Sequence, residues 1–147
     1  MEVAAAIQEV HALLSDPGQL PTLHPLINTI KITGLREESG EKVTDVLIFE
    51  RLPMAGLRMP NRYRAEFRVT PGNPTKLGVE AYSFPRVRVS SEFLLKSTPH
   101  GTRVVMKASY GAPWPLQGYV VQTANRAHDE LALRIVAHFA ERSLKRA

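Results

Sequence analysis

The chain has 147 residues, 44% of them hydrophobic and 22% charged, with a formal net charge of +5. That is the size and composition of one soluble domain, residues 1–147, able to bury a full core. There is no cysteine, which excludes disulfides, thiolate metal sites, iron–sulfur clusters and a cysteine nucleophile. No apolar run reaches the eighteen or so residues of a membrane span, and the N-terminus lacks the form of a secretion signal, so a cytoplasmic location is expected.

Residues 1–4 read as a short strand. Ile7, Val10, His11 and Leu14 share one helical face, which predicts a helix over 6–15. Asp16-Pro17-Gly18 stops it. Pro21 sits where a helix can begin, and Leu20, Leu23, Leu26 and Ile27 give this second, short piece an apolar side. From Asn28 the period changes to two. A weak strand over 31–35 ends at the polar turn Glu37-Glu38-Ser39-Gly40. A stronger one over 43–52 is apolar on both faces at Val46-Leu47-Ile48-Phe49, so it is covered twice or meets a partner chain in a homodimer. Residues 53–60 carry Met54, Leu57 and Met59 between prolines and read as an apolar loop. Such a loop can gate a cavity or pack on its own hairpin.

Over 62–69, Tyr63, Ala65, Phe67 and Val69 face one way, and Arg62, Arg64, Glu66 and Arg68 the other. Leu77, Val79 and Ala81 alternate next, before a break at Phe84-Pro85. Val87, Val89, Ser91, Phe93 and Leu95 follow, then the turn Pro99-His100-Gly101, then Val104, Met106, Ala108 and Tyr110. Strands joined by turns this short form an antiparallel meander. Residues 116–146 form a long helix with the stripe Val121, Ala124, His128, Leu131, Ile135 and Phe139. Arg142, Lys145 and Arg146 crowd its C-terminus, where the dipole favours cations.

A long amphipathic helix after one antiparallel sheet must bury its apolar face against that sheet. The order predicts an α+β fold: a curved sheet of six or seven strands wrapped around the C-terminal helix, with two short helices near the N-terminus. At Leu14-Ser15-Asp16-Pro17 and His24-Pro25 the chain resembles the helix-grip superfamily. This START-like or SRPBCC group holds polyketide cyclase/dehydrase and lipid-transport proteins and the birch-pollen-type plant allergens. The resemblance covers about residues 1–142. It implies a hollow between sheet and helix that holds a small hydrophobic or aromatic ligand, lipid- or polyketide-like. Because the superfamily also contains cyclases, the alternative it implies is a cyclase/aromatase or dehydrase. A third reading is an interaction module without ligand, using Val46 to Phe49 or residues 53–60.

On this view the inward stripe is Tyr63, Phe67, Val79, Ala81, Val89, Ser91, Phe93, Met106, Ala108 and Tyr110, faced by Ala124, His128 and Leu131. It either lines a pocket or fills a core, and periodicity does not separate the two. His128 with Tyr110 is the candidate acid/base pair for a cyclisation; the alternative is a buried histidine satisfied by a tyrosine or the backbone. His11, His24 and His128 match no zinc-ligand spacing, so neither metal nor cofactor is expected. His100 and His138 read as solvent groups. Asp45 and Arg51 share the strand face of Leu47 and Phe49 and become functional candidates if that face is interior. Arg62, Arg64, Glu66, Arg68, Glu80, Arg86, Arg88 and Glu92 read as outward cross-strand ion pairs or as a surface for an anionic partner. The basic residues are scattered and aromatics are 7%, so no nucleic-acid partner is expected.

Overall fold

The computed structural model describes residues 1–147. Its strands are β1 (Glu2–Val3), β2 (Ile27–Glu38), β3 (Glu41–Met54), β4 (Leu57–Val69), β5 (Lys76–Ser83), β6 (Val87–Thr98) and β7 (Gly101–Gly111). They form one sheet in the order β1-β7-β6-β5-β4-β3-β2, every neighbouring pair antiparallel. Helices α1 (Ile7–Ser15) and α2 (Leu20–Leu23) lie between β1 and β2, and the 30-residue α3 (Gln117–Arg146) ends the chain. This is the helix-grip arrangement that the element order predicts.

The packed core sits at one end. Ile7, Val10, Leu13 and Leu14 of α1 meet Leu77, Phe93, Leu95 and Val104 of the sheet and Leu131, Ile135 and Phe139 of α3. The Glu9 carboxylate accepts from the Ala6 N–H at 3.3 Å and steadies the start of α1. Asp16 then accepts the Gly18 N–H at 2.9 Å, turning the chain through Pro17–Gln19 into α2. A smaller cluster of Ile27, Val46, Ile48, Ala65 and Phe67 lies on β2–β4. Among the first fourteen residues of α3, only Ala127 is buried, so that half of the helix spans space rather than a core.

Three expectations change. β2 runs over twelve residues, not 31–35, because a register shift between Ile32 and Gly34 breaks the alternation that marks a strand. Residues 53–60 are not a loop. β3 and β4 stay paired to Met54↔Leu57 and turn through Ala55-Gly56, whose φ values are 51° and 76°, as a two-residue hairpin turn requires. Pro53 and Pro60 are tolerated because no third strand pairs there: β4 meets β5 only from Arg64, and β2 meets β3 only as far as Glu50. The doubly apolar stretch of β3 is not covered twice either. Val46 and Ile48 are buried inward, while Phe49 on the outer face is 37% exposed.

Asp45 is on that outer face, ion-paired to Arg36 at 3.0 Å; Arg36 also meets Glu66 at 2.9 Å, and Glu66 meets Arg68 at 2.8 Å. Exposed pairs of this kind contribute about 0–1 kcal/mol each. Val43, paired across the sheet with both arginines, is nevertheless fully buried, as expected where their stems lie over it. Glu80–Arg88 (3.1 Å) and Lys76–Glu92 (2.9 Å) also pair, but Arg62, Arg64 and Arg86 make no ion pair, and Arg64 lies over the Tyr82 ring at 5.4 Å instead.

The sheet edge at β1 depends on Gly101. Its φ is +146°, and a Cβ there would stand 2.1 Å from the Val3 carbonyl oxygen. Fully buried Thr102 beside it donates to the Ala5 carbonyl at 2.8 Å. Gly101→Ala should push β1 off β7 and cost about 2 kcal/mol or more in urea unfolding. A variant as stable as the parent would show that the β1–β7 contact contributes nothing.

Candidate functional site

Between α3 and the sheet lies a cavity of about 440 Å³, room for about fifteen waters at ~30 Å³ each. Its floor comes from alternate residues of four strands: Ile48 and Glu50, then Asn61, Tyr63, Ala65 and Phe67, then Val79, Ala81 and Ser83, then Val87, Val89, Ser91 and Phe93. Its roof is Tyr119, Val120, Thr123, Ala124, Ala127, His128 and Leu131 of α3; Leu20, Leu23 and His24 wall one side. Ala65 and Ala81 belong to the floor, and Ala124 and Ala127 to the roof. Methyl groups cannot bridge the two layers, so the space stays open. Met54, Met59 and Phe84 line the cavity while being 43%, 43% and 90% exposed, so the hollow opens to solvent between the β3–β4 hairpin and the β5–β6 turn. The Tyr119 hydroxyl donates to the Pro53 carbonyl at 2.8 Å and ties the start of α3 to that hairpin.

Of the residues expected from the sequence, Tyr63, Phe67, Val79, Ala81, Val89, Ser91, Phe93, Ala124, His128 and Leu131 line the cavity. Met106, Ala108 and Tyr110 do not. α3 approaches the sheet at β1 and β7, so inward positions of β7 form a seam rather than floor. Met106 borders a separate hollow of about 90 Å³, and Ala108 is exposed. Tyr110 stands in the seam, where its hydroxyl donates to Asn125 Oδ1 at 2.9 Å and lies 3.2 Å from His128 Nδ1. The helix stripe is also turned: Val121 is absent from the lining, and Ala127 is its buried centre. His138 is no solvent group; its Nε2 is buried without a partner, and its ring meets Phe139 edge-on at 5.2 Å.

The sequence reading missed a polar group. Glu50, only 8% exposed, accepts from Asn61 Nδ2 at 3.0 Å, and the same amide reaches Ser83 Oγ at 3.3 Å. The signal was the inward series Val46, Ile48, Glu50, two residues apart, with Asn61 directly opposite Glu50 across the hairpin.

The family model for polyketide cyclase / dehydrase and lipid transport matches residues 1–145. The chain belongs to this family. No curated protein matches its sequence. Solved structures share its fold at low identity. The TTHA0849 protein from Thermus thermophilus is 16% identical, with a TM-score of 0.74 over 97% of this chain and 95% of that one. The Zhui aromatase/cyclase from a Streptomyces species is 14% identical, with a TM-score of 0.73 over 97% and 92%. A START superfamily protein from Mycobacterium smegmatis is 14% identical, with a TM-score of 0.67 over 96% and 94%.

In this member of the polyketide cyclase/dehydrase and lipid transport family the cavity is electrostatically one-sided. Asp16 and Glu50 line it, and no lysine or arginine does. Burial raises the Glu50 carboxyl above its ordinary pKa, while Asn61 and Tyr63 pull it back. Burial, then the neighbouring Glu50, keeps the Tyr63 hydroxyl protonated. Both cavity histidines are held neutral. Burial, then repulsion from Arg134 and from His128 whenever that ring is protonated, lowers His24 to about 4; burial lowers His128, with Asp129 opposing. The hydrogen bonds assign their tautomers. His24 Nδ1 accepts the Leu26 N–H at 3.3 Å, so its Nε2 carries the proton. Tyr110 spends its proton on Asn125, so His128 Nδ1 donates to it and Nε2 is left as an acceptor.

His24 sets a pH limit. Its folded pKa is depressed, so between about pH 6.5 and about pH 4 the unfolded chain binds a proton that the folded chain refuses. Its contribution is whole above that window and is lost through it, by about 3 kcal/mol at the limit. His24→Asn keeps an acceptor for the Leu26 N–H and removes the titration. Urea midpoints should fall less steeply with acid in this variant; an unchanged slope would acquit His24.

Proposed function

We propose that the chain binds one small apolar or aromatic molecule, lipid- or polyketide-like, in the cavity between the sheet and α3. The observation that carries this is the lining: 25 of 35 residues are hydrophobic around about 440 Å³, a volume and composition suited to small-molecule sites. The family description joins cyclase/dehydrase with lipid transport, and the Zhui neighbour is an aromatase/cyclase. Binding is driven by removing apolar surface from water, at about 25 cal/mol per Å², with the few polar groups fixing orientation.

The fluorescent probe N-phenylnaphthylamine should bind saturably with micromolar or tighter affinity. Ala81→Phe places a ring into the hollow and should weaken that binding tenfold or more without lowering the melting temperature. Absence of saturable binding, or an Ala81→Phe variant that binds as the parent does, would defeat the proposal.

A cyclase/dehydrase reading has one observation in its favour. His128 lines the cavity, and its Nδ1 is held 3.2 Å from the Tyr110 hydroxyl; with the proton on Nδ1, Nε2 is free to act as a general base. Tyr110 is then a positioning residue outside the cavity. His128→Ala should abolish turnover of a poly-β-keto thioester if this holds, and only weaken binding if the chain is a carrier.

A further inference from the structure

We propose that the bound molecule carries a hydrogen-bond-donating polar end, a hydroxyl or a protonated amine, seated on Glu50 beside Asn61 and Tyr63, and that the same site rejects carboxylate-ended ligands. The inference rests on the ligand-binding reading above and adds the ligand's polar chemistry.

Glu50 is more than nine-tenths buried, yet its side chain lines the cavity. A carboxylate offers about four lone-pair positions. Asn61 takes one at 3.0 Å and the Tyr63 hydroxyl takes a second, so about two remain for a further donor. In the ionised form these can accept; they cannot donate. A ligand hydroxyl or ammonium fits, and a ligand carboxylate would place a second negative charge against the first in a low-dielectric site. No cation is present to reverse that order. The lining has no lysine or arginine, and its histidines are neutral. Arg134, whose charge reaches His24, is already engaged by Glu130 and by the Thr22 carbonyl at 3.4 Å. Asp16, the other charged lining group, is also an acid.

The wider protein argues the other way, which makes the inference discriminating. With a formal net charge of +5, non-specific attraction would favour anionic ligands over cationic ones. A preference for amines therefore has to come from inside the cavity. The apolar walls receive the body of the ligand, and Glu50 selects its end.

The test is displacement of N-phenylnaphthylamine by four probes that share one body: naphthylethylamine, naphthylethanol, naphthylacetate and ethylnaphthalene. In the unmodified protein the amine and the alcohol should displace at concentrations about tenfold or more below naphthylacetate, with ethylnaphthalene between them. Naphthylacetate equal to or tighter than the amine and the alcohol would overturn the inference. Glu50→Gln keeps the shape and the acceptor oxygen and removes the charge, so the amine should fall to the level of the alcohol. A folded Glu50→Gln variant that keeps the full amine preference would remove Glu50 from the role. If that variant does not fold, the series on the unmodified protein still decides. Failure of the ligand-binding reading looks different: N-phenylnaphthylamine itself would not bind, and the inference would fall with it.

Discussion

The way α3 is held governs everything else in this structure. Its C-terminal half is locked by Leu131, Ile135 and Phe139 in the packed cluster under α1. Its N-terminal half touches little core, yet it is fixed in place: Tyr119 bonds the Pro53 carbonyl, and Tyr110 of β7 bonds Asn125. A helix pinned at both ends and unsupported beneath one half must leave a void. A void of about 440 Å³ carved from a packed core would cost on the order of 10 kcal/mol, as much as a domain's whole stability. The fold escapes that penalty because the space opens past Met54, Met59 and Phe84 and can hold water or ligand.

Charge is partitioned by the same sheet. Its convex side carries the arginines; there Arg36 and Arg68 lie beside buried Val43 and pair with Asp45 and Glu66. On its concave side no lysine or arginine lines the cavity, and the sheet contributes one deeply buried carboxylate there. Strand alternation makes this possible, because each residue step changes the face. Arg62, Arg64 and Arg68 point away while Asn61, Tyr63 and Phe67 point in. The overall basicity of the chain is thus a property of its outer surface and says nothing about the ligand.

How much was legible follows from the same periodicity. Over 62–69 and 87–95 the inward and outward sets were plain, because apolar residues recur at alternate positions with only Ser91 polar among them and only Leu94 apolar on the other face. β2 was shortened because its register shift breaks the two-residue rhythm. The β3–β4 hairpin read as a loop because prolines and methionines mask a pairing that Ala55-Gly56 alone reveals. Met106, Ala108 and Tyr110 were given the right face but the wrong surroundings: alternation fixes a side, and only the path of α3 decides which inward positions meet empty space. Glu50 escaped for a different reason. It lies within the strand expected over 43–52, but the centre of that strand is apolar on both faces, so alternation does not say which face is inward, and Asp45 and Arg51 on the other face are equally eligible.

The polar groups of the cavity constrain what can fill it. With water inside, the His24 N–H, the His128 acceptor nitrogen and the Glu50 oxygens are all satisfied. A wholly apolar ligand would strip that water, leaving the two histidine nitrogens unpaired at about 1–3 kcal/mol apiece and Glu50 with only its Asn61 and Tyr63 partners. Those losses would offset much of the gain from burying the ligand's body. The histidines tolerate either hydrogen-bonding sense, since one donates and the other accepts. Glu50 does not, because an ionised carboxylate only accepts. An occupant that keeps the full benefit of burial is therefore an amphiphile: an apolar body against the alanines, valines and phenylalanines, and a donor where the β3–β4 hairpin presents its one buried acid.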